Sequence, residues 1–179
     1  NNLDYDIGLK FNNIAIPKGS TITSATLEMR AAESWDYQNN LKTRIRGVAA
    51  TNPAVWSATS RPSQRTKTTS YTDWTVPAFV DNTWYVTPGI AGIISEIVNR
   101  SDWNSGSNLS LVIEENASTQ GYWTIVDSFE AGAVNAPKLH IGYTVGTPPP
   151  TYTPGDFNQD GKVNLFDVSI LLSRWGSTN

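Results

Sequence analysis

A strict alternation of apolar and polar side chains runs through the segment Ser24-Ala25-Thr26-Leu27-Glu28-Met29-Arg30-Ala31-Ala32. Alternation with a period of two places the apolar set on a core and the polar set in water, as on one strand of an antiparallel sheet. The segment therefore predicts a β-strand whose buried face carries Ala25, Leu27, Met29 and Ala31.

Similar patterns lie on both sides of this segment. They predict five further strands, at residues 4–12, 41–46, 108–115, 121–129 and 138–145. Turn-forming residues such as Pro17-Lys18-Gly19 separate them,. Several short strands with this punctuation predict a mainly β fold, an antiparallel β-sandwich or jelly roll.

One segment follows helical spacing instead. Its apolar side chains are Ile90, Ile93, Ile94, Ile97 and Val98. Thr87 is a suitable N-cap and Pro88 suits the first helical position. We expect one short helix that covers an end of the sandwich.

Composition excludes several classes of function. The 179 residues include 13 basic and 16 acidic side chains, which give a net charge of −3. This charge does not indicate binding to nucleic acid or to an anionic membrane surface. The chain has no cysteine, so disulfides and thiolate chemistry are excluded,. No apolar run approaches the roughly 20 residues of a membrane span. Abundant Thr, Ser and Asn favour an extracellular protein, secreted or on the cell surface.

A linker divides the chain. Residues 146–155 read Gly-Thr-Pro-Pro-Pro-Thr-Tyr-Thr-Pro-Gly, a composition typical of a stiff, polyproline-like spacer,. We therefore predict a β-sandwich over residues 1–145, the linker over 146–155, and a small calcium loop and helix over 156–179.

The calcium prediction rests on the spacing of oxygen-bearing residues after the linker. A twelve-residue loop supplies calcium with ligands from positions 1, 3, 5, 7, 9 and 12, with glycine at position 6 for the sharp turn. Counting from Asp156, Gly161 takes the sixth position, and Val163 follows where an apolar side chain usually turns to the core. The predicted ligands are Asp156, Asn158, Asp160, the backbone carbonyl of Lys162, Asn164 and Asp167.

An amphipathic helix is predicted directly after this loop, over residues 165–175 and ending at Gly176. Its apolar stripe comprises Leu165, Val168, Leu171, Leu172 and Trp175.

Aspartate at the twelfth position, Asn164 at the ninth and the preceding Pro154-Gly155-Asp156 resemble the dockerin repeat of secreted bacterial proteins. The resemblance implies an EF-hand-like calcium loop followed by a helix. Complete dockerins carry two such repeats packed together, whereas this chain has one, so the stripe needs another cover: the sandwich or another chain. Leu165 and Phe166 stand where dockerins often carry small polar residues that contact cohesin, which disfavours a cohesin-docking function.

The sandwich segment resembles the DNRLRE-type jelly-roll modules of secreted bacterial proteins, which are related to a carbohydrate-binding group. The resemblance spans about residues 7–145, and it is carried by residues 16–27, Thr87-Pro88, residues 94–100 and residues 136–143. It implies a jelly-roll fold and says little about activity. Such modules usually begin with another strand or two. We therefore expect either a truncated chain or a strand from another molecule that fills the gap.

Catalysis has little support in the sequence. His140 is the one histidine, and alternation places it on the outward face of the last predicted strand. Glu114 and Glu115 are adjacent and so point to opposite faces, unlike a paired-carboxylate site. Nucleophile elbows and phosphate loops are absent from the sequence. The chain is predicted not to be an enzyme.

Two kinds of surface site are weaker predictions. Most tryptophans are expected in the core or as loop anchors, and Trp35 and Trp103, near turns, are the best candidates for contacts with polysaccharide. Asn99, Asn108 and Asn116 each begin an acceptor sequon and are possible glycosylation sites,.

The leading functional hypothesis is a non-catalytic, calcium-stabilised extracellular structural subunit that assembles with copies of itself into a filament, by strand addition and tail contacts. The alternatives are a carbohydrate-binding or adhesion module of a larger secreted bacterial enzyme, and a cohesin-docking module. Calcium is the predicted cofactor because it would neutralise the clustered carboxylates of the loop.

Overall fold

A computed structural model describes residues 6–34, 41–116, 124–146 and 153–175. These residues form seven strands and two α-helices in chain order. Their bounds are β1 Ile7–Ile14, β2 Thr21–Arg30, β3 Lys42–Val48, β4 Lys67–Thr75, β5 Trp84–Val86, α1 Ala91–Val98, β6 Ser107–Glu115, β7 Lys138–Thr144 and α2 Leu165–Arg174. Short 3₁₀ turns lie at Pro62–Gln64 and Phe129–Ala131.

The strands form two antiparallel sheets. One has the order β1-β6-β3-β4 and the other the order β5-β2-β7. Neighbouring strands pair antiparallel throughout the described part of the chain, with Leu9 opposite Leu111 and Leu27 opposite Leu139 as examples. The predicted fold class, a mainly β sandwich with a short helix, is confirmed.

The core lies between the two sheets and is built largely by period-two alternation. On β2, from Ala25 to Arg30, the odd-numbered residues are buried and the even-numbered ones are half-buried, as predicted for this segment. The fully buried large side chains are Trp103, Leu27, Met29, Ile45, Ile90, Ile93, Ile94, Ile97, Leu109, Leu111 and Val76. This apolar burial stabilises the sandwich at roughly 25 cal/mol per Å² of apolar surface removed from water.

Helix α1 caps the core, but it begins later than predicted. Its N-cap is Ile90, and no side chain caps it. Thr87 accepts a hydrogen bond from the Leu27 N–H through its hydroxyl (3.1 Å), and its own N–H donates to the Leu27 carbonyl. Residues 87–90 thus continue the pairing with β2, so Thr87 and Pro88 do not start the helix. The predicted cap was wrong because the N–H groups of Thr87 and Ile90 donate to carbonyl groups of β2.

The strand predictions differ from the structure in two places. Strands β4 and β5 were not predicted, because β4 is rich in threonine and β5 is very short. Of the predicted strand at residues 121–129, the first three residues lie outside the described residues. The rest forms a single bridge, between Val126 and Ala31, and then turns at Phe129.

The chain divides into two compact units, Asn1–Gly146 and Thr147–Asn179. The first unit contains both sheets and α1, and the second contains the loop and α2. Part of the predicted linker, residues 147–152, lies outside the described residues. Among the described residues, no helix is long and apolar enough to cross a membrane.

Candidate metal centre

The loop between Asp156 and α2 is shaped by two left-handed backbone positions. Gly161 has φ +83°, a region that glycine enters without steric cost, and Gln159 has φ 61°,. These positions turn the chain sharply, so that side chains from both ends of the loop come together. Gly161 therefore has the role that its place in the sequence predicts.

Asp167 closes this loop. One of its carboxylate oxygens accepts a hydrogen bond from the Asn158 N–H (3.1 Å), and the other accepts one from the Asn164 N–H (2.8 Å). Asp167 is buried, with 1% of its surface exposed. The Asn164 N–H, with smaller help from the N–H groups of Asn158 and Phe157, lowers the pKa of the Asp167 carboxyl below its usual 3.8, although burial opposes this. The loop thus holds Asp167 as an anion.

The first half of the loop is organised in the same way, by backbone N–H groups that donate to acidic side chains. Asp156 accepts from the N–H of Asp160 (3.2 Å) and from that of Gly161 (2.9 Å), one through each carboxylate oxygen. The Asp160 N–H is shared with the side-chain oxygen of Asn158 (3.1 Å), and Asp160 itself accepts from the Lys162 N–H (2.9 Å). Oxygens of the first, third and fifth predicted ligands therefore face one short stretch of backbone.

Asn164 has a second role that the ligand pattern did not predict. Its side-chain oxygen accepts from the Phe166 N–H (2.8 Å), which makes Asn164 the N-cap of α2. Asp167 completes a capping box by accepting from the Asn164 N–H. Because an N-cap satisfies helical N–H groups that otherwise lack partners, these two residues join the loop to the helix.

The donor set fits calcium. Each predicted side-chain ligand offers oxygen, the donor that hard cations of this kind prefer, and Asp156 and Asp167 are both buried,. In the described part of the chain, no group of three or more His, Cys, Asp or Glu side chains is arranged to hold a metal by itself. A calcium loop does not require such a group, since amide and backbone carbonyl oxygens complete its shell.

The apolar side chains around the loop do not form a core. Val163 is 58% exposed, so the prediction that it turns inward was wrong. It lies beside Gly155, whose added Cβ would meet the Val163 methyl group at 3.2 Å. The predicted stripe on α2 is exposed along its whole length: Leu165, Val168, Leu171, Leu172 and Trp175.

The tryptophans give little support to a polysaccharide surface. Trp103 is fully buried, and its indole N–H donates to the Ile16 carbonyl (3.0 Å), so its predicted surface role was wrong. A turn position did not expose it because the loop folds back onto the core. Trp35 and Trp123 lie outside the described residues. Within the described part of the sandwich, each tryptophan is buried or half-buried.

A polar cluster on the outer face of the β5-β2-β7 sheet was missed by the sequence analysis. His140 is exposed, as predicted, and its Nε2 lies 3.2 Å from a carboxylate oxygen of Glu28. The Lys138 ammonium lies 3.6 Å from the centre of the Trp84 ring. Extending the two-residue alternation to β5 would have placed these side chains on one face. Such an exposed, flat cluster lacks the enclosure that proton-transfer chemistry needs.

The adjacent glutamates behave as predicted. Glu114 lies on the outer face of its sheet, where Arg46 (3.3 Å) and Lys67 (2.8 Å) form ion pairs with it. Glu115 follows on the strand, is exposed and lies opposite Thr43. They do not form a carboxylate pair.

The three sequons occupy different environments. Asn99 is exposed at the end of α1. Asn108 is half-buried in β6, its side-chain oxygen accepts from the Asn13 N–H, and the hydroxyl residue of its sequon, Ser110, is fully buried. Asn116 is half-buried, and Ser118 of its sequon lies outside the described residues. Asn99 is thus the best placed of the three, and glycosylation stays a prediction.

No protein-family model matches this chain, and no curated protein is detectably similar to it.

Proposed function

We propose that this chain is a calcium-binding, non-catalytic structural subunit of the extracellular space that associates with copies of itself. The observation that carries the calcium part is the geometry of Asp167. Its two carboxylate oxygens hold both halves of the loop through the N–H groups of Asn158 and Asn164. That arrangement brings the last predicted ligand to the first ones.

Electrostatics favours a bound cation in this loop. Asp156, Asp160 and Asp167 all lie within one twelve-residue loop, and Asp156 and Asp167 are buried. Like charges at short range repel, and a buried charge costs free energy unless it is neutralised. Hydrogen bonds from backbone N–H groups offset part of this cost. A divalent cation with oxygen ligands would offset the rest, and the millimolar calcium of extracellular fluids suits the affinity of extracellular calcium modules.

Two features favour a structural role. In the described part of the sandwich no carboxylate is buried, and His140 is exposed, which disfavours catalysis. The apolar stripe of α2 and the edge strands of both sheets offer surfaces through which copies associate,. Polysaccharide binding has less support, because the described sandwich tryptophans are buried or half-buried. The likeness of the tail to a single dockerin repeat agrees with the calcium proposal.

Calcium titration tests the proposal. The parent chain should bind one calcium ion with a dissociation constant on the order of 10⁻⁴ M or tighter by calorimetry. Amide hydrogen exchange in α2 should slow when calcium is added, while exchange in the sandwich stays unchanged. A parent chain that gives neither calcium-dependent heat nor slower exchange at millimolar calcium would overturn the proposal.

Two double variants that have the same net charge test the assigned ligands. Asp156→Asn with Asp160→Asn removes two charged ligands, and we expect it to abolish binding in this concentration range. Asp81→Asn with Glu130→Gln removes two exposed carboxylates of the sandwich unit and should bind calcium as the parent does. Equal binding by both double variants would contradict the assigned ligands.

A further inference from the structure

The connection between β3 and β4, residues 49–66, lies against the outer face of the four-stranded sheet, and we call it the strap. It begins beside β6. The Asn52 N–H donates to the Asn108 carbonyl (3.1 Å), and the Asn108 N–H donates to the Asn52 side-chain oxygen (2.8 Å). The strap then reaches β1, where a Cβ on Gly8 would lie 2.5 Å from a ring carbon of Trp56. The strap is therefore fastened to the sheet at two strands.

Two residues of β6 that face away from the core are nevertheless buried. Leu111 belongs to the core, so alternation places its neighbours Ser110 and Val112 on the outer face, yet both have 0% exposure,. Along β6, Ser110 lies between Asn108, which binds the strap, and Val112, which pairs with Gly8. The strap thus supplies the cover, and the Ser110 hydroxyl points into the layer between the strap and the sheet.

Three polar atoms of this layer are buried without a hydrogen-bond partner among the described residues: Ser110 Oγ, Trp56 Nε1 and Arg65 Nε. The Arg65 guanidinium lies 5.1 Å from the centre of the Trp56 ring, and its Nη2 donates to the carbonyls of Ala54 (3.1 Å) and Val55 (3.3 Å). Indole and guanidinium nitrogens can only donate. Because a buried donor without an acceptor costs free energy, these atoms are suited to bind an acceptor together.

The charges around this layer indicate the sign of the acceptor. The strap contains two arginines, Arg61 and Arg65, and no acidic residue. Lys10 lies directly opposite Ser110 on β1, and side chains in such a pair leave the sheet about 5 Å apart,. Within the described ranges, neither Lys10 nor Arg65 forms an ion pair. Glu114, an acid on the outer face of β6, is already paired with two other cations. The layer is therefore positively charged.

We propose that a small monovalent anion, of the size and charge of chloride, binds between the strap and the sheet beside the Ser110 hydroxyl. The indole N–H of Trp56 and the Nε–H of Arg65 are its donors on the strap. A water molecule would satisfy the donors, whereas an anion also balances the charges of Lys10 and Arg65 where burial strengthens electrostatic interactions. The anion links the strap to β6. This site is independent of the calcium loop and goes beyond the function proposed above.

Thermal unfolding at constant ionic strength tests the site. Sodium chloride replaces sodium gluconate stepwise, and calcium is supplied as its gluconate salt in every sample. A ligand that binds the folded chain alone raises the midpoint of unfolding by mass action. We expect the midpoint of the sandwich to rise by about 3 °C or more and then to level off as chloride saturates the site. A general effect of the salt on the protein surface would not level off.

Three variants assign the response to these residues. Trp56→Phe removes the indole N–H and keeps an aromatic ring, and Lys10→Gln removes a charge at a half-buried position. Both should lose most of the rise with chloride, whatever their own stability in gluconate. Trp84→Phe is the matched control, because it makes the same replacement at a half-buried tryptophan of the other sheet. The control should keep the full rise.

Crystals of the parent chain soaked in sodium bromide give a second measurement that does not depend on a variant. We expect an anomalous difference peak beside Ser110 Oγ and Trp56 Nε1. Three results would overturn the proposal. The first is an ordered water at this position with no bromide peak. The second is a peak without any chloride-dependent rise in the midpoint, which would mean binding at crystal concentration only. The third is an equal rise in the parent, Trp56→Phe and Lys10→Gln, which would place the effect of chloride elsewhere.

Discussion

The sandwich and the C-terminal unit, which contains the loop and α2, bury opposite kinds of residue. In the sandwich the buried side chains are mostly apolar, from Leu27 on β2 to Trp103 beside β6. In the described part of the tail, residues 153–175, the buried residues are Asp156 and Asp167, both carboxylates. The apolar side chains there, such as Leu165, are exposed. One region is held by the hydrophobic effect and the other by hydrogen bonds around negative charge.

This contrast explains why the two regions should respond differently to the solvent. Apolar burial is insensitive to ions, whereas a cluster of carboxylates is stable only when protons, N–H groups or cations neutralise it. We therefore propose that calcium stabilises the loop and helix of the C-terminal unit, and we expect the sandwich to keep its structure without the ion.

The largest expected difference between the two regions comes from making the same substitution, leucine to alanine, in each of them. Leu111→Ala removes a side chain with 0% exposure, and we expect it to lower the free energy of unfolding of the sandwich by about 2–5 kcal/mol,. Leu165→Ala removes one with 83% exposure and should change the stability of the isolated chain by less than about 0.5 kcal/mol,. Urea unfolding of both variants at low protein concentration measures the two effects. Similar costs would mean that Leu165 is covered in solution.

A smaller effect distinguishes two glycines around α1. A Cβ at Gly47 on β3 would lie 2.6 Å from a methyl group of Ile97 and 3.0 Å from one of Ile93, so Gly47→Ala overpacks the contact between β3 and α1 and should cost about 1–3 kcal/mol,. Gly92 lies inside α1 with nothing nearer than Ser70 at 4.0 Å. Gly92→Ala should therefore stabilise the sandwich by about 0.5–1 kcal/mol, since alanine favours the helix. The midpoint temperature of thermal unfolding should fall for Gly47→Ala and rise for Gly92→Ala. Two shifts of the same sign would contradict the packing described.

The smallest expected effect concerns Glu96 of α1. Burial opposes ionisation of this carboxyl, but N–H groups of Ser70 and Thr69 and the Thr69 hydroxyl donate to it and lower its pKa to about 2 from the usual 4.5. Because the pKa is lowered on folding, the stabilisation is present above pH 4.5 and is lost as the pH falls toward 2.

Glu96→Gln should lower the free energy of unfolding by on the order of 1 kcal/mol or less near pH 7, because solvent screens this contact. The difference from the parent should shrink between pH 4.5 and 2. Thr69→Val is the matched control, since it removes one donor and keeps both backbone N–H groups. A difference that stays constant from pH 7 to pH 2 would show that the charge of Glu96 has no part in it.

Prediction from sequence succeeded where structure depends on neighbours along the chain. The alternation in β2 correctly divided its buried from its less buried residues, and position six of the loop required the left-handed turn that Gly161 makes. It failed where distant segments meet. Trp103 follows a turn, which suggests exposure, yet its indole reaches the carbonyl of Ile16. Thr87 has the sequence features of a helix cap but pairs with Leu27 on β2.

By itself, the sequence determined the alternation on β2, the order of loop oxygens from Asp156 to Asp167 and the stripe on α2, because periodicity and ligand spacing are properties of consecutive residues. Only the tertiary structure decided which edges meet. The stacking of Trp74, Phe79 and Tyr85 closes one side of the sandwich and leaves the side between β1 and β7 half-exposed. Packing between residues far apart in the chain depends on the topology of the sheets, and no local pattern encodes it.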